Sequence, residues 1–142
     1  MNEDCVFCKI ARGDAPAAKV YEDQTVLAFL DIGPVVKGHT LVIPKAHHNP
    51  ITHTPPEVLH HLIGVVQRVA GALYTGLQAE GVSVSQANGR PAGQVIPHLH
   101  FHVIPRYTAD GHHGNWVPRK YEHREEMQDY ADRIRKALAL SS

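Results

Sequence analysis

The amino-acid sequence predicts an α+β domain, a mainly antiparallel five-stranded sheet packed with two helices. Three observations carry that prediction. Five short segments, 18–22, 25–31, 39–44, 82–88 and 98–104, are apolar throughout or alternate with period two, which is strand patterning. Two longer segments, 54–77 and 122–140, bring apolar residues round every three to four positions, the helical period. The order is strands, helix, strands, helix, with short connections between consecutive strands; a parallel sheet needs a crossover between most strand pairs, and only one helix is available for that.

Each element has its own signal. Ala11-Arg12-Gly13-Asp14 ends a helical turn that begins after the N-terminal cysteines. Strands 18–22 and 25–31 flank Asp23-Gln24 and form a hairpin. Gly33-Pro34 and Lys37-Gly38 punctuate a loop before the buried strand 39–44. Thr54 is placed as N-cap of the first long helix, with Pro55 at N1 and Glu57 completing a capping box. Apolar residues at 58, 59, 62, 63, 66, 70, 73 and 77 form its inner face. Strand 82–88 is followed by the loop Gly89-Arg90-Pro91-Ala92-Gly93-Gln94 and then by Pro97-His98-Leu99-His100-Phe101-His102-Val103-Ile104. The helix 122–140 puts Met127, Tyr130, Ala131, Ile134 and Leu138 on one side.

The 142 residues suit one domain, 1–142, with a real core. Fourteen Lys and Arg balance fourteen Asp and Glu, which argues against a nucleic-acid polymer or a membrane surface as partner. No run approaches the roughly 18–20 apolar residues of a membrane span. The start Met1-Asn2-Glu3-Asp4 lacks the basic-then-apolar pattern of a secretory signal. Two close cysteines make a poor disulfide framework. Together these predict a cytoplasmic protein.

Chemistry concentrates in the histidine row. His98, His100 and His102 alternate with Leu99, Phe101 and Val103, so the three imidazoles share one strand face at roughly 6–7 Å spacing. Imidazole serves as nucleophile, acid, base or metal ligand near neutral pH. In the preceding loop, Gly89 and Gly93 let backbone amides approach a phosphate, although such loops are often plain turns. Cys5-x-x-Cys8 reads as a redox pair, half of a structural zinc site, or two metal-free thiols. Zinc requires two more ligands, for which His98 and either His47 or His48 are the candidates. Asp31 ends a strand among apolar residues, either as a plain loop carboxylate or as an acceptor for ribose hydroxyls. His53, His60, His61, His112 and His113 read as surface residues, and Trp116 either packs or reaches a partner's site.

The run His98 to Ile104 resembles the His-φ-His-φ-His-φ-φ signature of the histidine triad family (φ, apolar). So do Cys5-Val6-Phe7-Cys8-Lys9-Ile10, Phe29-Leu30-Asp31-Ile32, Gly38-His39-Thr40-Leu41-Val42-Ile43-Pro44-Lys45 and Ala92-Gly93-Gln94, in order, across 5–106. The branch most similar is that of the small nucleotide-binding proteins that act as purine nucleoside phosphoramidases. The resemblance implies a homodimer with one sheet continued across both subunits, and a purine nucleotide as substrate. On the matching positions it implies that His100 attacks the α-phosphorus to form a nucleotidyl-histidine, and that His102 with Gly93 and Gln94 holds the phosphate. It further implies that Asp31 binds the ribose, that Phe7, Ile10, Phe29 and Ile32 line the base pocket, and that Asn88 supports the phosphate end. Structural zinc would sit on Cys5, Cys8, His47 and His98, which favours His47 over His48. Val95 departs from the pattern: relatives commonly carry a serine or threonine there, whose hydroxyl donates to the leaving group. Three other readings compete: cleavage of dinucleoside polyphosphates, nucleotide binding with little catalysis, and a catalytic metal held by the triad histidines.

Overall fold

A computed structural model of the chain describes residues 3–112, 114 and 116–141; His113, expected at the surface, lies outside them. The elements are α1 (Val6–Arg12), β1 (Lys19–Glu22), β2 (Val26–Leu30), β3 (Thr40–Pro44), α2 (Pro56–Gly76), β4 (Gly81–Ser85), β5 (Phe101–Arg106) and α3 (Arg124–Ser141). The sheet runs β1-β2-β3-β5-β4 with every neighbouring pair antiparallel. The α+β architecture is as expected, with a third, seven-residue helix at the N-terminal end. No helix among the described residues is long and apolar enough to cross a membrane.

Why β2 reads as an unbroken apolar run is clear from its surroundings: both sheet faces are covered, so all five of its residues are buried. On one face Val26, Ala28 and Leu30 join Val42, Leu99 and Val103 against α2 and α3. On the other, Leu27 and Phe29 join Leu41, Ile43 and the α1 residues Phe7, Cys8 and Ile10. Asp23 fastens the β1–β2 turn by accepting from Thr25 N at 2.9 Å and Val26 N at 2.8 Å. α1 stops where Gly13 adopts φ +85°, its N–H returning to the Ile10 carbonyl.

Four local expectations are corrected. α2 starts at Pro56, and Thr54 does not cap it; its Oγ1 donates to the Pro50 carbonyl at 3.0 Å. Consecutive prolines at 55 and 56 leave fewer unsatisfied N–H groups for a cap to serve. The inner face of α2 is centred on Leu62, Val65, Val66, Val69, Ala72 and Leu73, with Ile63 turned out to 49% exposure. β4 ends at Ser85, three residues short of the predicted end. β5 joins the sheet only at Phe101, because β3 pairs with it no further than Val42↔Phe101. His98 to His100 nevertheless keep the alternation, with Leu99 wholly buried in the α2 core.

Gly38 marks where the 31–38 loop turns into β3. Its φ is +100°, and an added Cβ would collide with Leu77 Cδ1 and lie 3.1 Å from Pro105 Cγ. Gly38→Ala therefore meets left-handed strain and overpacking together, and should destabilise the fold by about 2–3 kcal/mol in urea unfolding. A loss below about 0.5 kcal/mol would show that the loop relaxes freely.

Candidate active site

Sheet register builds the floor of the site. Phe29 lies opposite Leu41, and Leu41 opposite His102, so these three side chains stand in one row on the α1 side of the sheet. Above the row is a cavity of about 490 Å³, walled by Phe7 and Ile10 of α1, by Asp31 and Ile32 after β2, and by Gly93, Val95 and Ile96. His100, His102 and Trp116 also line it. Its size falls in the usual range for one small-molecule ligand, and the walls are mainly apolar with a few convergent polar groups.

Hydrogen bonds fix the protonation of each imidazole. His100 is 6% exposed, and its Nδ1 lies 2.6 Å from the carbonyl oxygen of His98. A carbonyl only accepts, so Nδ1 carries the proton and Nε2 keeps a free lone pair. Burial lowers its affinity for a second proton. The neutral, nucleophilic form is thereby favoured.

His102 is set by a longer chain. The Val35 N–H donates to His39 Nδ1 at 3.2 Å, which leaves the His39 proton on Nε2. That Nε2–H lies 2.9 Å from His102 Nδ1 and donates to it. His102 must then carry its own proton on Nε2 and act as a hydrogen-bond donor. Desolvation pushes both rings down to about 3, so the chain is neutral at physiological pH. His39 is wholly buried, and the sequence alone assigns it no part in the site. Its partner lies 63 positions away, and the only local signal was a polar residue at the mouth of an apolar strand.

The remaining predicted residues divide. Asp31 lines the cavity while its Oδ1 accepts from Gly33 N at 2.9 Å, so one carboxylate closes the turn and faces the ligand space. Val95 is 75% exposed at the rim. Asn88 and Gln94 are not among the lining residues. Asn88 Oδ1 accepts from Ile51 N at 2.8 Å, and Gln94 joins Gly89 N to Asn49 Oδ1, so both side chains fasten the glycine loop. Trp116 packs edge-on against His102 and His39 of its own chain, with ring centroids 4.9 and 5.6 Å away.

His98 shares this sheet face but is not among the residues lining the cavity. Its Nδ1 lies 3.4 Å from Cys5 Sγ and 3.5 Å from Cys8 Sγ, and His47 Nδ1 lies 3.3 Å from Cys8 Sγ. All four ligand atoms fall within 4.8 Å of one another. Zinc bonds of about 2.3 Å to sulfur and 2.0–2.1 Å to nitrogen place tetrahedral ligands roughly 3.5 Å apart, so the donor set fits such an ion. His98 Nε2 donates to the Pro44 carbonyl at 2.8 Å, the outer contact that orients a metal-binding imidazole. His47, not His48, enters this group. With both ring nitrogens engaged there, His98 cannot join His100 and His102 around a catalytic metal. Asp31, His39 and His102 also gather within 4.8 Å. A metal on His39 Nε2 would force its proton onto Nδ1, against the Val35 N–H; those residues fit the neutral hydrogen-bond chain better.

The chain is similar to several known proteins. The HIT domain model matches residues 12–109. The Bacillus subtilis protein named hit is 43% identical over 141 residues, 98% of this chain and 97% of its own. An adenosine 5'-monophosphoramidase of Schizosaccharomyces pombe is 43% identical over 102 residues, 72% of this chain and 74% of its own. A crystal structure of a zinc-bound histidine triad family protein from Mycobacterium smegmatis is 41% identical and superposes with a TM-score of 0.87, covering 96% of this chain and 94% of that one.

Proposed function

This chain belongs to the HIT domain family, and from that membership we propose that it is a nucleotide hydrolase releasing a nucleoside 5'-monophosphate from a phosphoramidate or acyl-nucleotide. The observation that carries the proposal is the pairing of a lone-pair Nε2 on His100 with a donor Nε2–H on His102 in one cavity. The His100 nitrogen attacks the α-phosphorus, the bond to the leaving group breaks, an amine departing with a proton from water and an acyl group as its carboxylate, and a nucleotidyl-histidine forms. Water then attacks the same phosphorus, the phosphorus–nitrogen bond to His100 breaks, and the monophosphate leaves. His102 donates to a phosphate oxygen as charge builds there. Phe7, Ile10, Phe29 and Ile32 hold the purine, and the Asp31 carboxylate accepts from the ribose hydroxyls. Gly93 brings its backbone close to the phosphate. The S. pombe relative's activity supports a phosphoramidate over a dinucleoside polyphosphate.

Zinc on Cys5, Cys8, His47 and His98 belongs to this reading as a structural ion. It binds α1 to the segment that bears the nucleophile, just before β5, and takes no part in bond making. We further propose a homodimer. β4 ends the sheet, and its outer edge can pair with a second copy, whereas on β1 the Lys19 carbonyl already accepts from Arg135.

Steady-state turnover tests the proposal with adenosine phosphoramidate, diadenosine triphosphate and diadenosine tetraphosphate as substrates. The phosphoramidate should give the highest kcat/KM, and a preference for either dinucleotide would overturn the substrate assignment. In the same assay Val95→Ser should raise kcat/KM on the phosphoramidate about three- to tenfold, the worth of one new neutral hydrogen bond to the leaving group. No change would remove Val95 from the account of leaving-group departure.

A further inference from the structure

The four-donor centre and the nucleophile are parts of one backbone construction, and we propose that metal occupancy of Cys5, Cys8, His47 and His98 sets the catalytic rate by positioning His100, although the metal itself touches no reacting atom. The proposal rests on the zinc reading given above. Three separate ties carry it, one from each ligand-bearing segment.

The first runs through His98. Its ring faces Cys5 and Cys8, while its carbonyl accepts the His100 Nδ1–H at 2.6 Å. A rotation of the residue that follows loss of the metal moves the acceptor that selects the His100 tautomer. The second runs through the His47 segment, where the His48 carbonyl accepts from Leu99 N at 2.8 Å and so fixes the backbone between His98 and His100. The third is Phe7, held between the two cysteines. Its ring packs edge-on against His98 at 5.8 Å and His100 at 5.1 Å between centroids. Residues 98–100 have no sheet ladder to hold them, since β5 begins at Phe101. The positioning that a ladder supplies elsewhere comes here from the segments that the metal clamps.

This makes His98 and the metal positioning elements, and a displacement of about 1 Å at a reacting group can cost about a hundredfold in rate. The test compares zinc-loaded, chelator-stripped and reloaded protein, kept reduced, at a temperature where circular dichroism shows both forms folded. Stripping should lower kcat on adenosine phosphoramidate about tenfold or more with KM within about twofold, and reloading should restore it. The downfield imidazole N–H resonance of His100 should shift or broaden on stripping, which general loosening of the domain would not confine to that proton. His47→Gln supplies a weaker site in a chain that keeps both cysteines. Titrated with cobalt, its kcat should rise in step with the thiolate–cobalt absorption. Cobalt bands with a flat kcat overturn the coupling and leave the metal site standing. Absence of cobalt bands in the wild-type protein overturns the metal reading and the coupling with it.

Discussion

His100→Asn is expected to lower kcat for nucleotide release by at least about a thousandfold, while nucleotide affinity measured by calorimetry changes little. Removing the nucleophile from a covalent mechanism removes a route rather than one contact, and comparable knockouts of catalytic histidines cost far more than any single hydrogen bond. Affinity should persist because the apolar wall of Phe7, Ile10, Phe29 and Ile32 and the Asp31 carboxylate, the contacts proposed for purine and ribose, are separate from the Nε2 lone pair. The asparagine amide can still donate to the His98 carbonyl, so the backbone of 98–100 keeps its contact. If the wild-type protein released nucleotide no faster than this variant, the cavity would be a binding site and not a catalytic one.

Removing the proposed zinc should cost the fold nearly as much as His100→Asn costs the chemistry. A ligand that binds the folded state alone stabilises it by about 4 kcal/mol when its free concentration is a thousand times its dissociation constant. In a domain of this size that corresponds to a fall of about 10–15 °C in Tm on chelation. Cys8→Ser should reproduce most of the fall, because Cys8 is wholly buried and its Sγ contacts both His47 and His98. Differential scanning calorimetry with and without chelator measures both. A Tm that ignores chelator and zinc alike would mean that α1 is held by Phe7, Ile10 and their neighbours without help from an ion.

The strands and the histidine row were legible because they write their geometry into local sequence. Alternation at 98–104 puts three imidazoles on one face whether or not the backbone is paired, and that is why the facing survived although the ladder begins only at Phe101. His39 was not legible in the same way. Its role depends on the antiparallel register that sets Thr40 against Val103 and Leu41 against His102, a relation between segments some sixty residues apart. Asn88 and Gln94 illustrate the converse. They stand beside a phosphate-like glycine loop in sequence, yet their amides are engaged in holding that loop. Thr54 carried the right cap residue type, and its hydroxyl was drawn to the Pro50 carbonyl instead. Composition and pattern give each side chain's options, and tertiary neighbours choose among them.

Trp116 belongs to the same class. Its sequence context is equally compatible with packing and with a reach toward a partner, and it lies edge-on against His102 in its own chain, half exposed at the cavity wall. The segment that carries it is fastened to the loop after β2 by the Arg119 N–H, which donates to the Pro34 carbonyl at 2.7 Å.

The proposed covalent route through His100 is open to one direct measurement. A single turnover with adenosine phosphoramidate labelled at the α-phosphorus, quenched within the first turnover and digested under conditions that preserve phosphorus–nitrogen bonds, should leave label on the peptide containing His100. Label should be absent from His100→Asn and should chase to monophosphate when the quench is delayed. Label that appears in free monophosphate at full rate without ever residing on that peptide would contradict nucleophilic attack by His100.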